Sequence, residues 1–320
     1  MKRKVLCMLI AIGTTLVSFS QKQPFNNSGY QQIRLGDLDI AILSDGYINF
    51  PVIQPIMAPE ADIQAVSSIL NASFLPTKDF GLGMNIMLIK KGDHLILFDT
   101  GGGKTDDQTG GKLLESLESA NISPDQITDI VITHAHFDHI GGLLDGQGKS
   151  IYPNAIIYMT DIEYNFWTSN NPDFSNSKSN GMEGQKEMIQ SASHILRTIK
   201  PQVKLIKDGE RLFDCITISL APGHTPGHVI SEISSNGESI IHIADVVHYG
   251  AILFPHPEWG TMFDWDFDLA VQTRINTFEN LSQKKALVFG YHLPYPGFGH
   301  IVKTGTNSYQ WLPKPFLAPY

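Results

Sequence analysis

The sequence predicts an α/β layered protein with sheet in the middle and helices outside. Three observations lead there. Short apolar or alternating runs bounded by turn residues recur in both halves of the 320-residue chain. Segments of helical spacing follow several of these runs. No stretch after the N-terminus is long and apolar enough to span a membrane.

In order along the chain, "QQIRLGDLDIAILSDGYINFP" alternates apolar and polar residues about Gly36-Asp37 and predicts a β-hairpin. Residues 60–70 have helical spacing after Pro59. Met84–Lys90 and His94–Asp99 form a second hairpin about Gly92-Asp93. A short helix is expected over 111–120. "ITDIVITH" is a compact apolar run, as in a buried strand, and "YPNAIIYMT" is another. A helix starts near Thr160. Residues 168–185 are polar and rich in Asn, Ser and Gly, which predicts a loop, and residues 164–185 together are a candidate lid. Residues 186–199 are helical, 203–247 are strands separated by turns, 268–283 are helical, and "ALVFGYH" is a last strand ending at His292.

The N-terminus reads as an export signal. Lys2, Arg3 and Lys4 precede an apolar run from Val5 to Val17, and Ser18-Phe19-Ser20 supplies small residues before a cut near Ser20–Gln21. The expected product is periplasmic or secreted, with a single domain over 21–320. The apolar run falls short of the roughly 20 residues of a membrane span, so no stable membrane insertion is expected. Cleavage would remove Cys7 and leave Cys215, read as a buried strand residue. The net charge of −9 and the absence of basic clusters argue against nucleic acid as a partner.

The chemistry concentrates in "THAHFDHIGG", Thr133–Gly142, where three histidines and an aspartate fall between His134 and His139. His134 and His136 are two apart at a strand end, so extended backbone turns both side chains the same way. Asp138 and His139 follow where the chain turns into a helix, and Gly141-Gly142 allows close backbone approach. Imidazole and carboxylate together suit zinc and similar divalent metals. A single histidine would be read as an ordinary polar residue; this cluster after a buried strand reads as a metal site.

"HAHFDH" resembles the H-x-H-x-D-H signature of the metallo-β-lactamase superfamily. Further motifs that the superfamily requires occur in the same order across nearly the whole chain: "APGHTPGH" with His224, "IIHIADVVH" with Asp245 and "VFGYHLPYPGFGH" with His292. "LFDTGGG" resembles its early strand-to-turn motif, where Asp99 would support the site. The resemblance implies an αββα sandwich and two divalent metal ions, zinc first among them. His134, His136 and His224 would hold one ion and Asp138, His139 and His292 the other, with Asp245 bridging. Seven side chains for two ions leave an open position, as a catalytic site requires. His228 and His300 are read as structural neighbours, and His94, His194, His242 and His256 as ordinary.

"YHLPYPGFGH" and the segment from Ala244 to Arg274 resemble the branch that contains methyl parathion hydrolase and the N-acyl homoserine lactonases. That implies opening of a lactone ring by a metal-bridging hydroxide, with Asp138 carrying the proton to the leaving alkoxide. The known autoinducer lactonases carry tyrosine three residues after the bridging aspartate; here His248 stands there and would donate to the oxyanion instead. Phe137, Phe166, Trp167 and Phe254 are expected to wall an apolar pocket for the substrate's tail. The expected partner is a small lactone or ester with an apolar tail, and a homodimer is kept as a candidate assembly. The alternative reading is an organophosphate triesterase or arylesterase. A glyoxalase-type thioesterase would show basic anchors, a flavodiiron reductase needs a further domain, and an inactive scaffold would show a broken ligand set.

Overall fold

Two seven-stranded sheets face each other, and the structure, a computed structural model, describes residues 30–104 and 109–316. The expected export signal lies outside the described residues. The first sheet runs in sequence order: β1 Tyr30–Leu35, β2 Leu38–Val52, β3 Lys78–Lys91, β4 His94–Phe98, β5 Asp129–Val131, β6 Ile156–Thr160 and β7 Val203–Ile206. Strands β1 to β4 form antiparallel meanders, and β4 to β7 are parallel. The parallel part needs crossovers, which the intervening helices supply.

The second sheet has the order β14-β13-β12-β11-β10-β9-β8. Its members are β8 Arg211–Leu212, β9 Ile216–Leu220, β10 Val229–Ser235, β11 Glu238–His242, β12 Leu287–Phe289, β13 Phe298–Lys303 and β14 Tyr309–Pro313. Among the described strands of this sheet only β11 and β12 pair in parallel, bridged by the long helix α7, Phe267–Lys284.

Alternation along the strands decides the layers. The inward residues of both sheets, among them Ile40, Met87, Phe98, Ile218, Val229 and Phe289, make one buried cluster between the sheets. The outer face of the first sheet is covered by α2 Leu113–Ser119, α4 Asp161–Thr168 and α5 Gln185–Thr198 through a second cluster that includes Leu97, Ile130, Trp167 and Leu196. The outer face of the second sheet is covered by α1 Ile63–Ala72, α6 Gly250–Leu253 and α7 Phe267–Lys284 through a third, with Val66, Leu253, Phe278 and Val288. The expected αββα sandwich is therefore the architecture. Among the described residues no helix is long and apolar enough to cross a membrane.

The structure corrects the C-terminal end of the sequence reading. "ALVFGYH" holds only the three-residue strand β12, and His292 lies in the bend after it. It is not the last strand, because "FGHIVK" and "YQWLP" pair as an antiparallel hairpin beyond it. Cys215 is buried as expected, but in the turn before β9 and not in a strand.

Candidate active site

The site lies where strands of both sheets end on one edge of the sandwich. Beyond β5 the chain runs through Thr133–His136 into the single-turn helix α3, Phe137–Ile140, for which His136 is the N-terminal cap residue. The turn is packed tightly against the loop after β4. Gly142 donates its N–H to the Gly101 carbonyl at 3.0 Å, and a Cβ at Gly142 would stand 2.0 Å from the Thr100 carbonyl oxygen. That approach explains the second glycine of "IGG". His224 comes from the turn between β9 and β10, Asp245 from the single 3-10 turn after β11, and His292 from the bend after β12. Asp99, at φ 61°, and Ala244, at φ 42°, hold backbone that non-glycine residues rarely adopt, both beside ligand positions.

All seven residues named as ligands come together, in two groups that meet at Asp245. In the first, His134 Nε2 lies 3.1 Å from His136 Nδ1, which lies 2.8 Å from His224 Nε2. In the second, Asp138 Oδ2 lies 3.3 Å from His292 Nε2 and 3.6 Å from His139 Nε2. Asp245 Oδ2 stands 3.3 Å from His224, 3.7 Å from His134 and 3.2 Å from His292, and its Oδ1 stands 3.2 Å from His139. Each group's ligand atoms lie within 4.8 Å of one another.

The donor set fits cations. Ligand atoms at tetrahedral positions about 2.0–2.1 Å from a zinc-sized ion are themselves about 3.3 Å apart, the spacing found here. His139 Nε2 and Asp245 Oδ1 are buried without a hydrogen-bond partner in the protein, a costly arrangement that a cation between them relieves. Burial first, then the neighbouring imidazoles, holds the His134 and His136 rings well below the usual imidazole range, so their lone pairs stay available. Burial would also lower His292, but Asp245 and Asp138 outweigh it and carry the ring up to about 9.

The far nitrogens are anchored, which fixes tautomer and ring orientation. His139 Nδ1 donates to Asp99 Oδ2 at 2.9 Å, and Asp99 also accepts from the Thr133 N–H and hydroxyl at 2.8 Å each. Asp99 thus stands behind His139 and the start of the histidine loop. His224 Nδ1 donates to Asp264 Oδ1 at 2.9 Å, and His292 Nδ1 donates to the Gly83 carbonyl at 2.7 Å. Asp264 is in turn bonded at 3.2 Å by the buried Arg274 of α7, whose guanidinium also donates to the Val246 and Pro257 carbonyls. Neither Asp264 nor Arg274 was a sequence candidate. His228 donates from Nδ1 to the Ala221 carbonyl and accepts the Asp245 N–H at Nε2, so it holds the Asp245 turn and points no lone pair at the ligand groups. His248 Nε2 lies 3.1 Å from Asp245 Oδ2, its Nδ1 is buried without a partner, and burial pushes its pKa down to about 4.

Above the candidate ligands opens a cavity of about 210 Å³. His136, Asp138, His224, Asp245, His248 and His292 form its floor. Ile48, Phe50, Leu82, Phe137, Met188 and Phe263 form apolar walls, with Ser179 at one side. The expected pocket residues divide. Phe137 lines the cavity and is 45% exposed. Trp167 does not line it: the ring is fully buried behind His136, edge-on at 5.6 Å, and its Nε1 donates to Glu163 at 2.7 Å. Phe166 packs between Trp167, Phe174 and Trp265. Phe254 is buried under the second sheet between Phe278 and Trp311. Trp167 and Phe254 are taken fully into the core, where a ring gains more than at a half-wet wall, and Phe166 packs half-buried against it. Of residues 164–185, only Ser179 reaches the cavity.

A two-centre His/Asp site at the edge of an αββα sandwich, open on one side to an apolar cavity, defines a metal-dependent hydrolase. The chain belongs to the metallo-β-lactamase superfamily, whose family model matches residues 80–292. It is similar to the solved structure of AidC, described as a dizinc quorum-quenching lactonase in complex with a product N-hexanoyl-L-homoserine: 38% identity, 91% of this chain and 99% of that one covered, TM-score 0.87. It is similar also to AbOPH, described as a hydrolase in the β-lactamase superfamily, at 31% identity over 91% of this chain and 99% of that one, TM-score 0.80. A curated relative, the probable metallo-hydrolase YqgX of Bacillus subtilis (strain 168), is 27% identical over 53% of this chain, which spans 66% of that relative's length.

Proposed function

We propose that this hydrolase opens the ring of N-acyl homoserine lactones. The observation that carries the proposal is the cavity, whose polar floor holds the ligand groups and whose walls are apolar side chains. An ester-type head group with a hydrocarbon tail matches that division. The 38% identity to a dizinc lactonase, over nearly the whole of both chains, supports the same reading.

Two divalent ions, zinc by analogy with that relative, supply hydroxide near neutral pH and an electrophile for the carbonyl oxygen when bound. The rest is assigned to the protein. His134, His136 and His224 would hold one ion and Asp138, His139 and His292 the other, with the Asp245 carboxylate within reach of both groups. Asp138 is the proton carrier. Its side chain is 15% exposed, against 0–4% for its ligand neighbours in these pairs, so it faces the cavity most openly. His248 is assigned as the donor to the developing oxyanion through the single N–H at Nε2, which would turn from Asp245 Oδ2, 3.1 Å away, when that carboxylate is engaged by metal. Phe50, Phe137, Met188 and Phe263 hold the tail and exclude water. The polar stretch after α4 acts as a lid through Ser179. The basic and apolar N-terminus directs export, which sequencing of the mature N-terminus tests.

The test is proton release at constant pH from purified enzyme on homoserine lactones of several chain lengths, paraoxon-type triesters and aryl esters. The proposal expects lactones to give the highest kcat/KM. Preference for triesters or aryl esters would replace it with the phosphotriesterase or arylesterase reading.

A further inference from the structure

Helix α4 carries a carboxylate that the hydrolytic scheme does not use. Glu163 is fully buried. Its Oε1 accepts the Ala135 N–H at 2.9 Å and the Trp167 indole N–H at 2.7 Å. Its Oε2 accepts the Thr225 hydroxyl and the Gly227 N–H, both at 2.8 Å. Ala135 lies between ligands His134 and His136, and Thr225 follows ligand His224. One oxygen therefore holds the first histidine loop, and the other holds the second. A buried carboxylate is expensive unless donors surround it, and here four do.

The second loop is seated directly on the start of α4. A Cβ at Gly227 would stand 2.4 Å from the Glu163 backbone nitrogen and 2.5 Å from Thr160 Oγ1, so only glycine allows the approach. Thr160 caps α4 by accepting the Glu163 N–H and donates to the Gly227 carbonyl at 2.9 Å. Trp167, one turn along the helix, backs His136. The other ligand group is anchored elsewhere. His139 rests on Asp99, and His292 on the Gly83 carbonyl. The backbone of Asp138 is held by the Tyr291 hydroxyl at 2.5 Å, and that of Asp245 by His228.

We infer that Glu163 is a positioning residue: it fixes the separation of the two loops that bring His134, His136 and His224 together, and so sets metal affinity at that site selectively. This rests on the metal-dependent hydrolase class alone. A binding experiment reads it without substrate, so its failure and failure of the lactone proposal are separate events.

The experiment titrates the cobalt(II)-loaded enzyme with a chelator of known affinity. It follows the visible cobalt absorption, and metal per chain by elemental analysis. In Glu163→Gln the amide can accept from one loop but turns an N–H donor toward the N–H of the other. The expected result is that one of two cobalt ions is released at about 10–100-fold lower chelator concentration than in the wild type, with the other unchanged. Thr225→Val, which keeps the Gly227 bond, shifts the same ion in the same direction by less. Unchanged release of both ions overturns the inference. Equal weakening of both also overturns it, since that makes Glu163 a general stability element. If Glu163→Gln does not fold, Thr225→Val decides on the same two outcomes.

Discussion

Arg274→Met removes a guanidinium and keeps most of its apolar stem. Arg274 is 1% exposed, and it donates to the Val246 carbonyl at 2.7 Å, the Pro257 carbonyl at 3.0 Å and Asp264 Oδ2 at 3.2 Å. The substitution leaves a carboxylate and two carbonyls in the interior without that partner. Removing one member of a buried ion pair costs about 3–5 kcal/mol, because the other charge stays behind. At roughly 2 °C per kcal/mol for a domain of this size, the melting temperature should fall by about 6–10 °C. Calorimetry at fixed excess metal measures it, since bound metal itself raises Tm.

The sign with pH follows from Asp264. Burial raises its pKa, but the His224 hydrogen bond and the Arg274 charge outweigh that and hold the carboxyl below its ordinary value of 3.8. A depressed folded-state pKa contributes stability that is fully present above the unfolded value and is lost as pH falls through the folded one. The wild type therefore has this contribution at neutral pH. In Arg274→Met burial dominates, Asp264 titrates at higher pH, and protonation relieves the unpaired charge. The Tm gap between wild type and variant should narrow on acidification. Adding Asp264→Asn, which keeps an acceptor for His224 Nδ1, should recover part of the loss. A drop under 2 °C, or a double variant no more stable than the single one, would refute the reasoning.

Trp167→Ala should lower stability by about 3–5 kcal/mol and leave a donor missing at Glu163, with no preference for long substrate tails; a chain-length-selective change in KM at normal stability would return Trp167 to the pocket. Phe263→Ala should raise KM for long-chain lactones more than for short ones, because each methylene buried against the wall contributes about 0.8 kcal/mol; parallel changes for both would remove Phe263 from tail binding. Asp138→Asn should keep the fold, by circular dichroism, and lose most turnover; unchanged kcat would end the proton-carrier assignment.

The candidate metal ligands were legible because their chemistry is concentrated in short motifs whose order along the chain carries the pairing of distant loops. Asp99 was legible for the same reason, lying in "LFDTGGG" directly after a strand. Glu163, Asp264 and Arg274 were not. Asp264 is one of three alternating aspartates in "FDWDFD", Glu163 stands two residues from Asp161, and Arg274 lies on a polar helical stretch, so each reads as part of a solvated face; only packing buries it. Glu163 did leave one local trace, Trp167 four residues on, on the same helix face. The aromatics misled for the opposite reason. Phe166, Trp167 and Phe254 occur beside site motifs, but proximity in sequence does not say which side of a helix meets the cavity. The sequence does not announce the hairpin of β13 and β14, although "FGHIVK" and "YQWLP" flank a "TGTNS" turn signal, because the motif ending at His292 draws the end of the sheet there.

The central claim is that two ligand groups, joined at Asp245, together perform the hydrolysis. The direct test strips the enzyme of metal, returns zinc in measured steps, and records proton release from N-hexanoyl homoserine lactone at each step. Activity should stay low through the first equivalent and rise to its plateau with the second. Full activity with one ion, or with none, would contradict the account.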